Sequence, residues 1–290
     1  MKSRVESYYD QIAQDEWDRM DRHPMEFRTT LRAIREFILP NSTILDIGGG
    51  PGRYTIELAK DGHQVTLLDL SAGNVSLARL KADEAGVQVA GFVHGNALDL
   101  SVFDDGAFDV VLLMGPMYHL TDPLDRDRCL REALRVLAPG GRLFASFITR
   151  YAVYMGILDR NPSEIGQYKD AYVRLMATGV HIPTEQNPGF TDAYFSHPTE
   201  IEPLMLGYGL TTLRLAVAEG LTSAAELAVN KLTPDLFDAW VDVSYRLGTD
   251  PTIWGCGEHM LYVGQTLAPA KVLSIHPRNP KELTVRIIVN

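Results

Sequence analysis

The run Ile44-Leu45-Asp46-Ile47-Gly48-Gly49-Gly50-Pro51-Gly52-Arg53-Tyr54 decides the fold of this chain. An apolar stretch reaches an acid, and alternate glycines follow. Thr55, Ile56, Leu58 and Ala59 then fit a helix, and a second apolar run, Val65-Thr66-Leu67-Leu68, ends in Asp69. Strand, glycine turn, helix, strand and acid in that order predict the nucleotide-binding half of a doubly wound α/β fold. Gly48, Gly50 and Gly52 permit backbone angles that side chains forbid, and they let a ligand approach the main chain. An acid about 20 residues past the turn can accept both hydroxyls of an adenosine ribose.

Two details separate this turn from a dinucleotide-binding one. Asp46 stands two residues before the first glycine. A carboxylate there suits the sulfonium and ammonium of S-adenosylmethionine and would repel a pyrophosphate. Pro51 stands where a dinucleotide turn prefers a free N–H facing phosphate. A glycine turn that packs and holds no ligand is the alternative.

A second signature lies downstream. Phe108-Asp109-Val110-Val111-Leu112-Leu113 reads as a buried strand, and Leu130, Ala133, Leu134 and Leu137 have helical spacing. In Leu137-Ala138-Pro139-Gly140-Gly141-Arg142-Leu143-Phe144 the Pro-Gly-Gly turn is expected to stop that helix and launch a strand over 143–148. As a set, these motifs resemble the class I S-adenosylmethionine-dependent methyltransferases over residues 41–148. Further matches are similar to a bacterial subfamily: Tyr8-Tyr9-Asp10, Glu16-Trp17, His23-Pro24, Gly115-Pro116-Met117-Tyr118-His119-Leu120, Ala193-Tyr194-Phe195 with His197-Pro198, and Glu258-His259 with Leu261-Tyr262-Val263-Gly264. The resemblance implies a Rossmann-like doubly wound seven-stranded sheet whose last strand runs antiparallel between the fifth and sixth. It leaves the acceptor open.

The chain has 290 residues, 46% hydrophobic, and a formal net charge of −10. That charge argues against a polyanionic partner such as duplex DNA or transfer RNA, since no basic cluster offsets it. Charges throughout the first 36 residues exclude a signal peptide there, and no apolar run approaches the ~20 residues that span a bilayer. Cys129 and Cys256 read as reduced thiols of a cytoplasmic protein.

Along the chain, residues 1–39 read as a helical lid, 40–148 as the cofactor-binding core, 149–211 as a substrate cap inserted after strand five, and 212–268 as the remaining core strands. Thr212 to Val217 is the expected sixth strand, Ala224 to Leu247 a helical stretch, and Met260 to Val263 the seventh strand. Residues 87–93 read as the third strand. Residues 269–290 fall outside the resemblance. Strand character over 285–289 suits pairing with a sheet edge, contact in a homodimer, or an extension outside the fold.

Ligands in open α/β sheets lie beyond the carboxyl ends of the parallel strands. That rule selects Asp46, Gly48, Gly49, Gly50, Gly52, Asp69, Leu70, Met114 and Gly115 as cofactor contacts. The resemblance adds Asn96 and Ala97 near the adenine; the family has Gly-Asp-Ala where this chain has Gly95-Asn96-Ala97. It also adds Tyr9 and Trp17 from the lid. Methyl transfer needs alignment, exclusion of water and, for some nucleophiles, removal of a proton. His119 is the leading candidate base because histidine titrates near neutrality. It could instead simply hydrogen-bond a loop. Glu258, His259 and Tyr9 come next, against the alternatives of a surface pair and a lid aromatic. Met117, Tyr118, Tyr151, Tyr154 and Tyr194 are the candidate acceptor contacts. No residues show metal-ligand spacing.

The expected activity is methyl transfer from S-adenosylmethionine to a small, apolar or aromatic acceptor on O, N or an electron-rich carbon. Rivals are a protein or RNA methyltransferase, a non-catalytic S-adenosylmethionine-binding regulator and, more distantly, a nicotinamide-dependent oxidoreductase.

Overall fold

The computed structural model describes residues 2–185 and 190–268. The segment 269–290, with its strand-like run, lies outside the described residues. Two helices lead, α1 (Arg4–Arg22) and α2 (Pro24–Phe37). Ser3 caps the first by accepting the Glu6 N–H, and Pro24 opens the second at a position where its missing N–H costs nothing. The alternating core follows: β1 (Thr43–Ile47), α3 (Arg53–Lys60), β2 (Gln64–Asp69), α4 (Ala72–Ala85), β3 (Gly91–His94), β4 (Phe108–Leu113), the single turn α5 (Pro116–His119), α6 (Pro123–Val136) and β5 (Leu137–Ile148). An insertion carries α7 (Ala152–Arg160), α8 (Glu164–Thr178) and the short pair β6 (Val180–His181) and β7 (Ala193–Tyr194). Then come α9 (Pro198–Gly207), β8 (Thr211–Val217), α10 (Glu226–Val229), α11 (Pro234–Leu247) and β9 (His259–Gln265).

Seven strands form one sheet in the order β3-β2-β1-β4-β5-β9-β8. The first five are parallel, and β9 runs antiparallel to both β5 and β8. This is the sheet expected from the sequence. Both faces are covered, which is why the strands read as near-continuous apolar runs. On one face Leu45, Ile47, Val111, Leu113, Leu143 and Tyr262 join one core; on the other Ile44, Val110, Leu112, Phe144, Leu261 and Val263 join a second.

Three local expectations change. The third strand is shorter, starting at Gly91, because Val87 still donates its N–H to Ala82 at the end of α4. Pro139-Gly140-Gly141 is a bulge inside β5 instead of a turn before it: Phe108 pairs with Leu137 and Val110 already pairs with Arg142. Gly141 is required there, since a Cβ would lie 2.7 Å from the Ala138 carbonyl oxygen. The stretch 224–247 is a tight 3₁₀ turn (Gly220–Ala225), α10 and α11, broken before Pro234.

The inserted unit also ends earlier than residue 211. Ile201 and Met205 of α9 are fully buried in the main core beside Leu215 and Met260, so α9 is a crossover helix of the sheet. The insertion closes on itself at Thr149 and Ser196. Arg150 N–H donates to the Ser196 carbonyl (3.0 Å), and Ser196 N–H donates to Ile148 (2.8 Å). Among the described residues, no helix is long and apolar enough to cross a membrane.

Candidate active site

The site begins where the strand order reverses, between β1 and β4, and each strand contributes the loop that follows it. The glycine turn folds back on β2, with the Gly48 N–H donating to the Leu68 carbonyl (2.8 Å). Gly48 has φ +72°, and a Cβ there would sit 2.8 Å from Pro116 Cδ. Gly50 has φ +56° and nothing within 4 Å of where its Cβ would be. Packing therefore fixes Gly48, while Gly50 faces open space. Asp69 ends β2. One of its carboxylate oxygens accepts the Gly50 N–H (2.8 Å); the other accepts from Ser71 N–H (2.8 Å) and the Asn74 amide (3.3 Å).

Over these groups lies a cavity of about 360 Å³. Gly48, Gly49, Gly50, Asp69, Leu70, Asn96, Ala97, Met114 and Gly115 all line it, as does His119. Its roof is α1, through Val5, Glu6, Tyr9, Glu16, Arg19 and Met20. The roof is fastened down. Asp10 accepts from Ser71 Oγ (2.7 Å) and Gly73 N–H (3.1 Å) at the start of α4, and Arg4 pairs with Asp192. The bonds from Lys2, Ser71 and Gly73 hold the Asp10 carboxyl down to about 2.

A second cavity of about 980 Å³ adjoins the first. It lies between α1, the inserted helices, the segment after β8 and the start of β9. Glu258, His259, Tyr8, Tyr172, Phe190 and Phe195 are among its walls. Four side chains belong to both cavities: Tyr9, Glu16, Arg19 and Tyr118. The smaller chamber thus opens toward the larger across a boundary of two tyrosines and an ion pair.

Residues 44–141 match a family described as a methyltransferase domain. Over 112 residues the chain is 38% identical to the ubiquinone biosynthesis O-methyltransferase of Xanthomonas campestris pv. campestris, covering 39% of this chain and 45% of that one. The chain spans less than half the length of the curated relatives it matches. A methyltransferase structure from Methanosarcina mazei, described as S-adenosylmethionine-dependent, superimposes with a TM-score of 0.56 at 21% identity, covering 81% of this chain and 97% of that one. The 1,6-didemethyltoxoflavin-N1-methyltransferase of Burkholderia thailandensis gives 0.54 at 16% identity, covering 91% and 87%. These structures share the fold. The match places a methyltransferase domain at residues 44–141, on a fold shared with these S-adenosylmethionine-dependent enzymes.

The residues around the smaller chamber fit S-adenosylmethionine. Asp69 presents a carboxylate at the strand end where a ribose would lie, and Gly50 leaves the main chain uncovered. Asn96 Oδ1 accepts the Leu98 N–H (2.9 Å), and its NH₂ has no partner among the described residues. That NH₂ is free to donate to an adenine ring nitrogen. Asp46 departs from its expected place. It is fully buried beneath the turn, where a Cβ on Gly49 would lie 2.9 Å from its Cγ, and it does not line the chamber. Burial pushes its carboxyl up to about 7, against the bond it accepts from Thr55 Oγ1 (2.7 Å). Gly52 also lies outside the lining, with its Cβ position 3.1 Å from Ala78. Trp17 instead clamps α1 to the core beneath the Arg53 guanidinium, 4.7 Å from its ring centroid.

Among the acceptor and catalytic candidates, the structure gathers His119, Tyr9, Tyr118, Glu258 and His259 around the two chambers. Tyr9 Oη and His119 Nε2 are 2.8 Å apart, and His119 Nδ1 lies 3.2 Å from the Asp192 carbonyl. One tautomer satisfies both contacts, with Nδ1–H donating to Asp192 and Nε2 accepting from Tyr9. Desolvation lowers the imidazole to about 4, so it stays neutral. Met117 is buried in the main core. Tyr151, Tyr154 and Tyr194 face neither chamber: Tyr151 meets His197, Tyr154 stacks near Tyr172, and Tyr194 donates to Glu200 (2.7 Å) under the Arg126 guanidinium.

Tertiary structure adds an ionic cluster that the sequence did not single out. Arg19 donates to both oxygens of buried Glu26 (2.7 and 3.2 Å). His259 Nδ1 lies 2.5 Å from Glu219 Oε1 and 3.6 Å from Glu26. Burial opposes the charged imidazole, but Glu26 and Glu219 outweigh it and raise His259 to about 9. Glu26, Glu219 and His259 each bring a ligand-type atom within 4.8 Å of the others. Both Glu26 oxygens are already taken by Arg19, so the trio is held by ion pairs. Glu16 and His23 sat in motifs already noted; Glu26 and Glu219 carried no local signal, since only the fold brings them together.

Proposed function

We propose that this protein transfers a methyl group from S-adenosylmethionine to a small-molecule acceptor. The observation that carries the reading is the pair of chambers meeting at Tyr9, Glu16, Arg19 and Tyr118. The smaller one, over the glycine turn and Asp69, suits the cofactor. The larger one gives an acceptor a walled approach to the methyl group, which supplies orientation and excludes water. Tyr9 touches both chambers and is the candidate catalytic residue of the boundary. Neutral His119 accepts a hydrogen bond from its hydroxyl and so holds the ring in position. The net charge of −10 favours a free small molecule over nucleic acid. The free thiols Cys129 and Cys256 suit a reducing cytoplasm.

Two measurements test this. Calorimetry with S-adenosylhomocysteine should show saturable binding. Incubation with methyl-labelled cofactor and a whole bacterial extract should then place label in the low-mass fraction. Label confined to protein or RNA would overturn the small-molecule reading.

A further inference from the structure

The charges inside the larger chamber are unequal. Glu16, Glu219, Glu226 and Glu258 line it, and Glu26 lies immediately behind. Three of the cations there are already committed. Arg19 is held by Glu26 and Glu16, His259 lies between Glu219 and Glu26, and His23 Nδ1 lies 2.9 Å from Glu226. His181 contacts the Phe190 carbonyl, and Arg174 belongs to the exposed outer part of the wall. Glu258 is left over. It stands immediately before β9, where its carbonyl accepts the Thr149 N–H (2.8 Å), and its carboxylate has no hydrogen bond or ion pair among the described residues. Six aromatic rings share the wall with aliphatic side chains: Tyr8, Tyr9, Tyr118, Tyr172, Phe190 and Phe195.

An unpaired carboxylate among aromatic faces selects a cation. Ring quadrupoles attract an ammonium, and a partly desolvated carboxylate anchors it. A carboxylate or phosphate ligand would meet the opposite field, and a neutral alcohol would donate a hydrogen bond to Glu258 but leave its charge uncompensated.

Resting on the methyltransferase reading above, we infer that the acceptor is a small amine whose nitrogen is held and deprotonated by Glu258. The protonated amine gives one N–H proton to a Glu258 carboxylate oxygen. The freed lone pair forms the N–CH₃ bond as the C–S bond of the sulfonium breaks, with both electrons of that bond staying on sulfur. The products are a methylated ammonium and the neutral thioether, S-adenosylhomocysteine. Burial, with Glu219 and Glu26 nearby, pushes the Glu258 carboxyl up to about 7 despite the neighbouring His259. A base poised there can take a proton and return it to water. An incoming ammonium would pull the group back toward its ionised form.

The test uses the full chain and paired probes: benzylamine, phenethylamine and tryptamine against the alcohols that replace each amine. Binding to the S-adenosylhomocysteine-loaded protein and methylation with labelled cofactor are both read at pH 7.5. The expected result is at least a tenfold preference for an amine over its alcohol in both readouts. E258Q should lower amine kcat/KM at least tenfold and leave S-adenosylhomocysteine affinity within twofold of the parent. The labelled product from bacterial extract should be retained on a cation exchanger at pH 5. Equal use of alcohols, a neutral or anionic product, no measurable binding of any probe amine, or full amine turnover by E258Q would each overturn the inference. Failure to bind S-adenosylhomocysteine would instead reject the underlying methyltransferase reading.

Discussion

Tyr9, near the start of the chain, and His119, 110 residues later, share a 2.8 Å hydrogen bond at the edge of both chambers. Their rings meet nearly perpendicular, with centroids 5.2 Å apart. The bond ties the roof helix α1 to the segment that follows β4. Whatever enters the smaller chamber therefore lies beneath a helix locked to the loop beside it.

Tyr9→Phe breaks that lock and keeps the ring. His119 Nε2 then loses its donor in a desolvated site, a cost of about 1–3 kcal/mol. The expected outcome is a lower melting temperature, with S-adenosylhomocysteine affinity reduced less than acceptor turnover. Equal stability and turnover in the variant and parent would show that the bond does neither job.

Asp69→Ala removes the carboxylate from the cofactor chamber and the acceptor of the Gly50 N–H together. Charge-assisted hydrogen bonds contribute about 1.5–3 kcal/mol each. Calorimetry should show at least a tenfold loss of S-adenosylhomocysteine affinity. Unchanged affinity would remove Asp69 from the cofactor site.

Two neighbouring glycines should fail in different ways. In Gly49→Ala the new methyl meets Asp46 Cγ and Leu67 Cδ1, each at 2.9 Å, so stability should drop in thermal melts. In Gly50→Ala the methyl meets open space at φ +56°, so backbone strain of about 1–2 kcal/mol accompanies a side chain projecting toward the chamber. That variant should fold and lose cofactor affinity. The reverse pattern would mean that Gly50 does not face the ligand.

Stability should decline as pH rises from 6 to 9.5. His259 is raised from 6.5 to about 9 in the folded protein, so its contribution is fully present below pH 6.5 and disappears as pH climbs through 9. Asp46 and Glu258 are both raised to about 7 by burial, so the cost of ionising them in the folded protein accrues from about pH 4 to pH 7, adds to the decline only up to pH 7 and is constant above it. Glu26 acts at the other end: Arg19 and His259 overcome its burial and hold it at about 2, so its stabilising contribution persists above pH 4.5 and is lost only in strong acid. Melting temperatures across this range should fall toward alkaline pH, and His259→Gln should flatten the part above pH 7.5. A variant retaining the parent's full alkaline slope would assign the decline to other groups.

Arg19→Leu leaves Glu26 buried beside His259 alone. Removing one partner of a buried ion pair costs about 3–5 kcal/mol in general, and the imidazole 3.6 Å away should soften that loss. Chemical denaturation should show a large destabilisation that Arg19→Lys partly restores, since lysine keeps the charge and loses the two-pronged geometry. No loss in the leucine variant would mean that His259 suffices for Glu26.

The sequence by itself determined the sheet. Apolar runs, glycines with no tolerable substitute and helical periodicity are short-range constraints, and they located β1, β2, β4, β8 and β9 and the turn that holds Gly48 and Gly50. They also marked Asp69, Asn96 and His119 as strand-end groups, because the topology of a doubly wound sheet sends every such residue to one edge. Depth was not legible. Asp46 has the chemistry of a cofactor ligand, yet it faces inward, since the turn above it leaves no path to the chamber. Tyr151, Tyr154 and Tyr194 look like pocket aromatics in a list of residues, but helix phase in the insertion turns them to other partners. The ionic cluster was decided only by tertiary structure. Arg19, Glu26, Glu219 and His259 come from four separate segments and carry no mutual spacing. Their charges interact over a few ångströms of desolvated space, and only the folded chain creates that space.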